Sequence, residues 1–189
     1  MSTNSLLQYL KNYVSLTSEE EKLVLSKIVE RSYLKNQYIV QQGDVCQTVN
    51  FIISGCVKTF HIDREGNEHI MNFSIENWWA SDLGSFISQT AADFNVQCIE
   101  TTVVIQFSYD TLEKIYQDIP KFDRCFRKIL ENAFVASQKR IIRNFSLTAK
   151  ERFIIFKDTY PKINKRVPQY MIASYLGCLL YTSPSPRDA

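Results

Sequence analysis

The spacing of apolar residues changes twice along this chain, from helical to strand-like and back to helical. Thr17, Ser18, Glu19 and Glu20 have capping-box spacing, and Val24, Leu25, Ile28 and Val29 follow at helical intervals, so the opening predicts a helix. From Tyr38 to Ser108 the texture is that of short strands. Val57 to Ile62 alternates, Val103, Ile105 and Phe107 share one face of another run, and Val49 to Ile53 is more uniformly apolar. Gly43-Asp44, Ser54-Gly55 and Arg64-Glu65-Gly66-Asn67 break these runs with turn-forming residues. Several short strands at close spacing predict a small antiparallel sandwich or barrel.

Helical spacing returns at Asp110, a candidate cap for a short helix reaching Ile119. Pro120 opens a second helix, where its missing N–H costs nothing. On that helix Phe122, Phe126, Ile129, Ala133 and Ala136 form one apolar stripe, and Leu130, Phe134, Ile141 and Phe145 form another. Two apolar faces need two partners. One can lie on the strand domain; the other, spaced like a heptad seam, suits a second copy of the same helix. The alternative is a helix buried within one larger domain, for which little chain remains. Thr148 and Glu151 repeat the capping-box spacing ahead of a helix running from Arg152 to Tyr160, which Pro161 ends. Pro168 then opens a short helix, Gln169 to Leu176, stopped by Gly177.

A 45% hydrophobic and 13% aromatic composition is ample for a core. No run of about 18 apolar residues predicts a membrane span. Met1 to Asn12 lacks a basic segment followed by an apolar one, so a cytoplasmic location is expected. The net charge of +2 hides an asymmetry: eight Lys/Arg against fifteen Asp/Glu in residues 1–120, and thirteen against four in 121–168. An acidic front and basic back suggest a regulatory module joined to a part that meets a polyanion, although solvated basic helices would give the same count. Cys46, Cys56, Cys98, Cys125 and Cys178 are scattered without a C-x-x-C pair, which favours buried thiols over a disulfide framework or iron–sulfur site. No phosphate-binding loop, nucleophile–base pair or paired-carboxylate motif is present, so enzyme activity, a metal site and a cofactor are not expected. If Arg64 to Asn67 closes a hairpin, Ile62 pairs with His69 and His61 with Ile70, which sends the two imidazoles to opposite faces.

Over about residues 5–177 the chain resembles the CRP/FNR superfamily of transcription regulators. Tyr38 to Asp44 looks like the first strand of the family's β-roll with its Gly-Asp turn, and Phe51 to Lys58 like the next strand pair. Trp78-Trp79-Ala80-Ser81-Asp82-Leu83 sits where the phosphate-binding cassette begins, and Val167-Pro168-Gln169 to Gly177 resembles the opening of a helix-turn-helix. The resemblance implies an α+β protein: an antiparallel β-roll, jelly-roll-like, with N-terminal helices (1–119), a dimerisation helix (120–146) and a partial winged helix-turn-helix (147–178). It also implies a homodimer that meets DNA. Ala173 and Gly177 have the spacing of the small residue and turn glycine of such a motif, and Arg166, Gln169 and Tyr170 are its further candidates for DNA contact.

Two departures qualify this. Family members that bind cyclic AMP hold its phosphate with backbone amides and an arginine, next to a glycine–glutamate turn. Aligned without gaps, Ser81 and Asp82 take the glycine and glutamate positions, and Asp93-Phe94-Asn95 the arginine-serine-alanine positions. A carboxylate cannot imitate the bidentate guanidinium, so cyclic AMP is not the expected ligand. The effector is open, with Ser81, Asp82, Leu83, Gly84, Asp93, Phe94 and Asn95 as candidate pocket residues. Trp78 and Trp79 are expected as core rather than as a ligand wall. Secondly, the recognition helix should occupy 180–188, where Pro184 and Pro186 would break it, so residues 179–189 read as a non-native tail and the domain as truncated. The apolar side of Tyr170 to Leu176 should then lack a packing partner. The rival function is a stand-alone small-molecule-binding β-roll that regulates a protein partner.

Overall fold

The computed structural model describes residues 2–177; the expectations for Cys178 and the 179–189 tail lie outside the described residues. Two helices, α1 (Ser2–Leu10) and α2 (Ser18–Lys27), lead into the strands. α2 opens on the expected capping box: Thr17 Oγ1 accepts the Glu20 N–H at 3.3 Å, and the Glu20 carboxylate accepts the Thr17 N–H at 2.6 Å. It ends sooner than the apolar spacing suggests. Ile28 is already extended, and Val29, assigned to the helix by periodicity, begins strand β1 (Val29–Tyr33). This β-branched pair takes the strand conformation because β1 has a partner waiting.

That partner is β8 (Thr102–Ser108), paired with β1 from Val29↔Gln106 to Tyr33↔Thr102. Between them come β2 (Tyr38–Val40), β3 (Thr48–Ser54), β4 (Val57–Ile62), β5 (Glu68–Ser74), β6 (Trp79–Ala80), helix α3 (Leu83–Ser88) and β7 (Asn95–Cys98). The strands form two four-stranded antiparallel sheets, ordered β1-β8-β3-β6 and β2-β7-β4-β5. The fold class is α+β with an antiparallel roll, as the resemblance implies. At the β3–β4 turn, Gly55 has φ +106°, and a Cβ there would sit against the Thr102 hydroxyl and 2.6 Å from its Cα, so only glycine fits.

The β4–β5 hairpin departs from expectation. A bulge between Thr59 and Phe60 shifts the register: Phe60 faces Ile70, His61 faces His69, and Ile62 faces Glu68. The turn is held by Asp63, whose Oδ1 accepts the N–H groups of Glu65 and Asn67, both at 2.9 Å. His61 and His69 therefore share a face.

Beyond β8 the chain is helical: α4 (Tyr109–Asp118), α5 (Pro120–Ser146), α6 (Ala149–Thr159), α7 (Pro161–Arg166) and α8 (Gln169–Tyr175). Ser108, rather than Asp110, caps α4 by accepting the Thr111 N–H at 3.2 Å. Thr148 and Glu151 form the expected capping box of α6. α7 is an element that the sequence pattern did not single out.

One apolar cluster joins the roll to α1, α2, α4 and the start of α5 through Leu6, Leu10, Val24, Phe51, Phe107, Ile115 and Phe122. A second joins Phe60, Ile70 and Phe73 of β4 and β5 to Phe156, Ile163 and Ile172 of α6, α7 and α8. The apolar side of α8 thus has a partner after all: Ile172 and Leu176 are 1% and 7% exposed, packed in that second cluster. Each such side chain removed from water contributes about 1.5–3 kcal/mol. Among the described residues, no helix is long and apolar enough to cross a membrane.

Candidate effector site

The cassette segment from Ser81 to Asn95 folds around Asp82. This side chain is buried and caps α3, accepting the Ser85 N–H on Oδ1 at 3.0 Å. Its other oxygen, Oδ2, accepts the N–H groups of Asp93 at 2.8 Å and Phe94 at 3.0 Å. Three backbone amides thus converge on one carboxylate, an arrangement suited to any oxyanion. Here the anion belongs to the protein itself.

The other cassette residues divide around this seat. Ser81 and Leu83 are half-buried, Gly84 is exposed, and Leu83 packs on the first core cluster. Asp93, at the arginine position of the alignment, is exposed and offers its carbonyl to His61 Nδ1 at 2.8 Å. Phe94 packs edge-on to the His61 ring, and the buried Asn95 accepts the Gln42 N–H at 2.9 Å. His69 bonds Asp63 at 2.7 Å, which holds the Asp63 carboxyl well below the usual carboxylate range, helped by the Asn67 and Glu65 amides. The two imidazoles share a face but bond different partners. Among the described residues, no group of three or more His, Cys, Asp or Glu has the geometry to hold a metal ion.

Trp78 and Trp79 are half-buried and pack on other aromatic rings. Trp79 lies among Tyr9, Phe51, Phe107 and Phe126, with ring centroids 5.0–6.4 Å away, and Trp78 stands edge-on to Tyr160 at 5.8 Å. Both also line a cavity beside α5. Cys46, Cys56, Cys98 and Cys125 are buried free thiols; burial pushes Cys56 up to about 12 and Cys125 up to about 11.

On α5, Phe122 and Phe126 are buried and Ile129 is half-buried against the core, while Ala133 and Ala136 are exposed. Ile129 thus belongs to the inward face. The second stripe is uncovered: Leu130 is 37%, Phe134 64%, Ile141 49% and Phe145 87% exposed.

Of the candidates for DNA contact, Gln169 and Tyr170 are exposed and Ala173 is half-buried. Gly177 ends the described chain with φ +65°, the left-handed turn expected of it. Arg166 faces the roll instead of solvent, with Nη1 2.8 Å from Glu76 Oε2, Nη2 3.0 Å from Glu76 Oε1, and a further bond to Glu100. Sequence reasoning did not find this clamp, because its carboxylates lie 90 and 66 residues away. Ser174 adds a second tie, its hydroxyl accepting the Ile70 N–H at 3.1 Å and donating to the Glu68 carbonyl at 3.2 Å.

Residues 30–118 match the family described as the cyclic nucleotide-binding domain. The regulatory protein HlyX of Actinobacillus pleuropneumoniae is 27% identical over 144 residues, 74% of this chain and 58% of that protein. The fumarate and nitrate reduction regulatory protein of Vibrio cholerae is 27% identical over 143 residues, 74% of this chain and 56% of its own length. The match thus spans little more than half the length of these relatives. Among solved structures, the c-di-GMP responsive global regulator CLP of Xanthomonas campestris shares the fold with a TM-score of 0.68 and 17% identity, over 86% of each chain. Residues 30–118 thus match a cyclic nucleotide-binding domain, within a chain similar to transcription regulators of the CRP/FNR type.

Proposed function

We propose that the protein is a dimeric, DNA-binding transcription regulator of the CRP/FNR type whose roll does not take a cyclic nucleotide. The observation that carries it is the order of parts: a cyclic nucleotide-binding-type roll, then a 27-residue helix with an uncovered apolar stripe, then α8 with its Ala173–Gly177 spacing. Similarity to HlyX and the Vibrio regulator along most of the chain supports the same reading. Pairing through α5 would relate two α8 segments by a dimer axis, as a palindromic site requires. The Asp82 carboxylate on the amides of Ser85, Asp93 and Phe94 supports a roll closed to a cyclic phosphate.

In this reading Pro184 and Pro186 oppose a recognition helix over 180–188, a segment outside the described residues. Basic residues between Lys121 and Arg166 still meet phosphates. Titration of labelled duplexes at two salt concentrations should therefore give salt-sensitive binding in the range of about 10⁻⁴ to 10⁻⁶ M, with no preference for sequence. A duplex bound a thousandfold better than random DNA would overturn the assignment of 180–188, and an absence of salt-sensitive binding would overturn the DNA-binding reading.

A further inference from the structure

Where α5 leaves the roll and α6–α8 fold back onto it, a cavity of about 620 Å³ opens, a volume typical of small-molecule sites. None of residues 81–95 lines it, so it is separate from the seat that Asp82 fills. Both tryptophans of the chain, Trp78 and Trp79, stand in its wall, with Tyr9, Tyr13, Tyr160 and Tyr175. Three arginines also line it, Arg140 and Arg143 of α5 and Arg152 of α6, and no Asp or Glu occurs among the described lining residues.

Arg140 and Arg143 are one helical turn apart and both half-buried, so their guanidinium groups address the same space. Arg140 donates to the Met71 carbonyl and lies 5.0 Å from the centre of the Tyr175 ring, and neither arginine forms an ion pair with a described carboxylate. The contrast with Arg166 is direct: that half-buried guanidinium holds two carboxylates. Partly desolvated cations without a counter-charge favour a bound anion, and arginine pairs with phosphate or carboxylate through two parallel bonds.

We infer that this cavity binds a planar aromatic anion, a ring carrying a phosphate or carboxylate group. Arg140 and Arg143 hold the anionic group, and Trp78, Trp79 and the tyrosines enclose the ring. The α5 residues that line the cavity, Ile129, Ala133 and Ala136 among them, lie roughly a third of a turn around the helix from Leu130, Phe134 and Ile141. Pairing of α5 with a second copy therefore leaves the cavity accessible. An occupant touches the roll, α5 and α6 together, so it favours whichever mutual placement of the three it fits best. The binding claim itself does not depend on DNA binding.

Calorimetry on the full 189-residue chain tests it with 1-naphthyl phosphate, 2-naphthoate, 1-naphthol and inorganic phosphate as probes. One or both aromatic anions should bind saturably, and which of them binds tighter separates a phosphate from a carboxylate ligand. Naphthol and inorganic phosphate should bind at least about tenfold more weakly, since each lacks one half of the recognition. Arg143→Gln, which leaves the backbone bond from the Leu147 N–H to the Arg143 carbonyl in place, should weaken the anion about tenfold or more at an unchanged melting temperature. Arg140→Gln should do the same; because Arg140 also ties α5 to Met71, a fall in its melting temperature would leave the decision to Arg143→Gln. Lack of saturable binding of either anion at millimolar concentration overturns the proposal. Equal binding of naphthol, or indifference to Arg143→Gln, overturns it too, by reducing the cavity to an apolar crevice.

Discussion

A single buried carboxylate gathers three backbone amides of the cassette. Asp82 takes amides from both its own helix and the Asp93–Phe94 segment, and in the proposed function these are amides that an external phosphate would otherwise meet. Half of this role is legible in the sequence, since an aspartate three residues before Ser85 reads as a helix cap. The other half rests on amides eleven and twelve residues further on, which no local pattern reveals. Asp82→Ala should destabilise the protein by about 1–3 kcal/mol in urea unfolding, because it removes a cap and orphans two further, partly buried donors. Millimolar inorganic phosphate should restore part of that loss in the variant and leave the native protein unchanged. Equal stabilisation of both proteins would mean that the seat is open in the native chain. The native protein should also give no heat with cyclic AMP or cyclic GMP in calorimetry, and a low-micromolar affinity would contradict a filled seat.

At the scale of elements, periodicity found most helices and strands and misjudged those that tertiary contacts decide. β1 reads as the end of a helix because Ile28 and Val29 continue the apolar spacing of α2; pairing with β8 overrides it. The bulge at Thr59/Phe60 shifts the β4–β5 register by one residue and brings the two histidines to one face, a change invisible to alternation alone. Arg166 and its two carboxylates tie α7 to the roll, beside the second apolar cluster and the Ser174 bonds. Burial pulls Glu76 up, but the Arg166 guanidinium and the Gly55 N–H outweigh it and hold Glu76 below the usual glutamate range. A depressed carboxylate contributes stability that is present above its unfolded pKa of about 4.3 and is lost as pH falls through the lower folded value. Docking should therefore hold through neutral pH and loosen only in acid below the ordinary glutamate range. Arg166→Gln should loosen it at pH 7, with amide exchange around Ile172 to Leu176 faster by about tenfold, a modest factor because the triad is partly exposed. Unchanged exchange in the variant would assign the docking to the apolar cluster alone.

For the whole molecule, the order of parts was legible because each carries its own period: strands of alternating residues, a long two-striped helix, and a short helix bounded by Pro168 and Gly177. The contact between the ends of the chain was not. Phe73 and Ile70 of the roll pack with Phe156, Ile163 and Ile172, and that pairing of distant residues has no signature in local sequence. The same contacts leave one apolar surface uncovered, the α5 stripe of Leu130, Phe134, Ile141 and Phe145. A stripe of this length on a helix otherwise rich in charge is the seam through which two copies would associate. Sedimentation equilibrium at tens of micromolar protein is the most direct test of a dimeric regulator. The native chain should sediment as a dimer, and Leu130→Glu with Phe134→Glu, which buries two unpaired carboxylates in the seam but leaves the inward face intact, should give a folded monomer. A native chain that sediments as a monomer, or a doubly substituted chain that stays dimeric, contradicts association through α5.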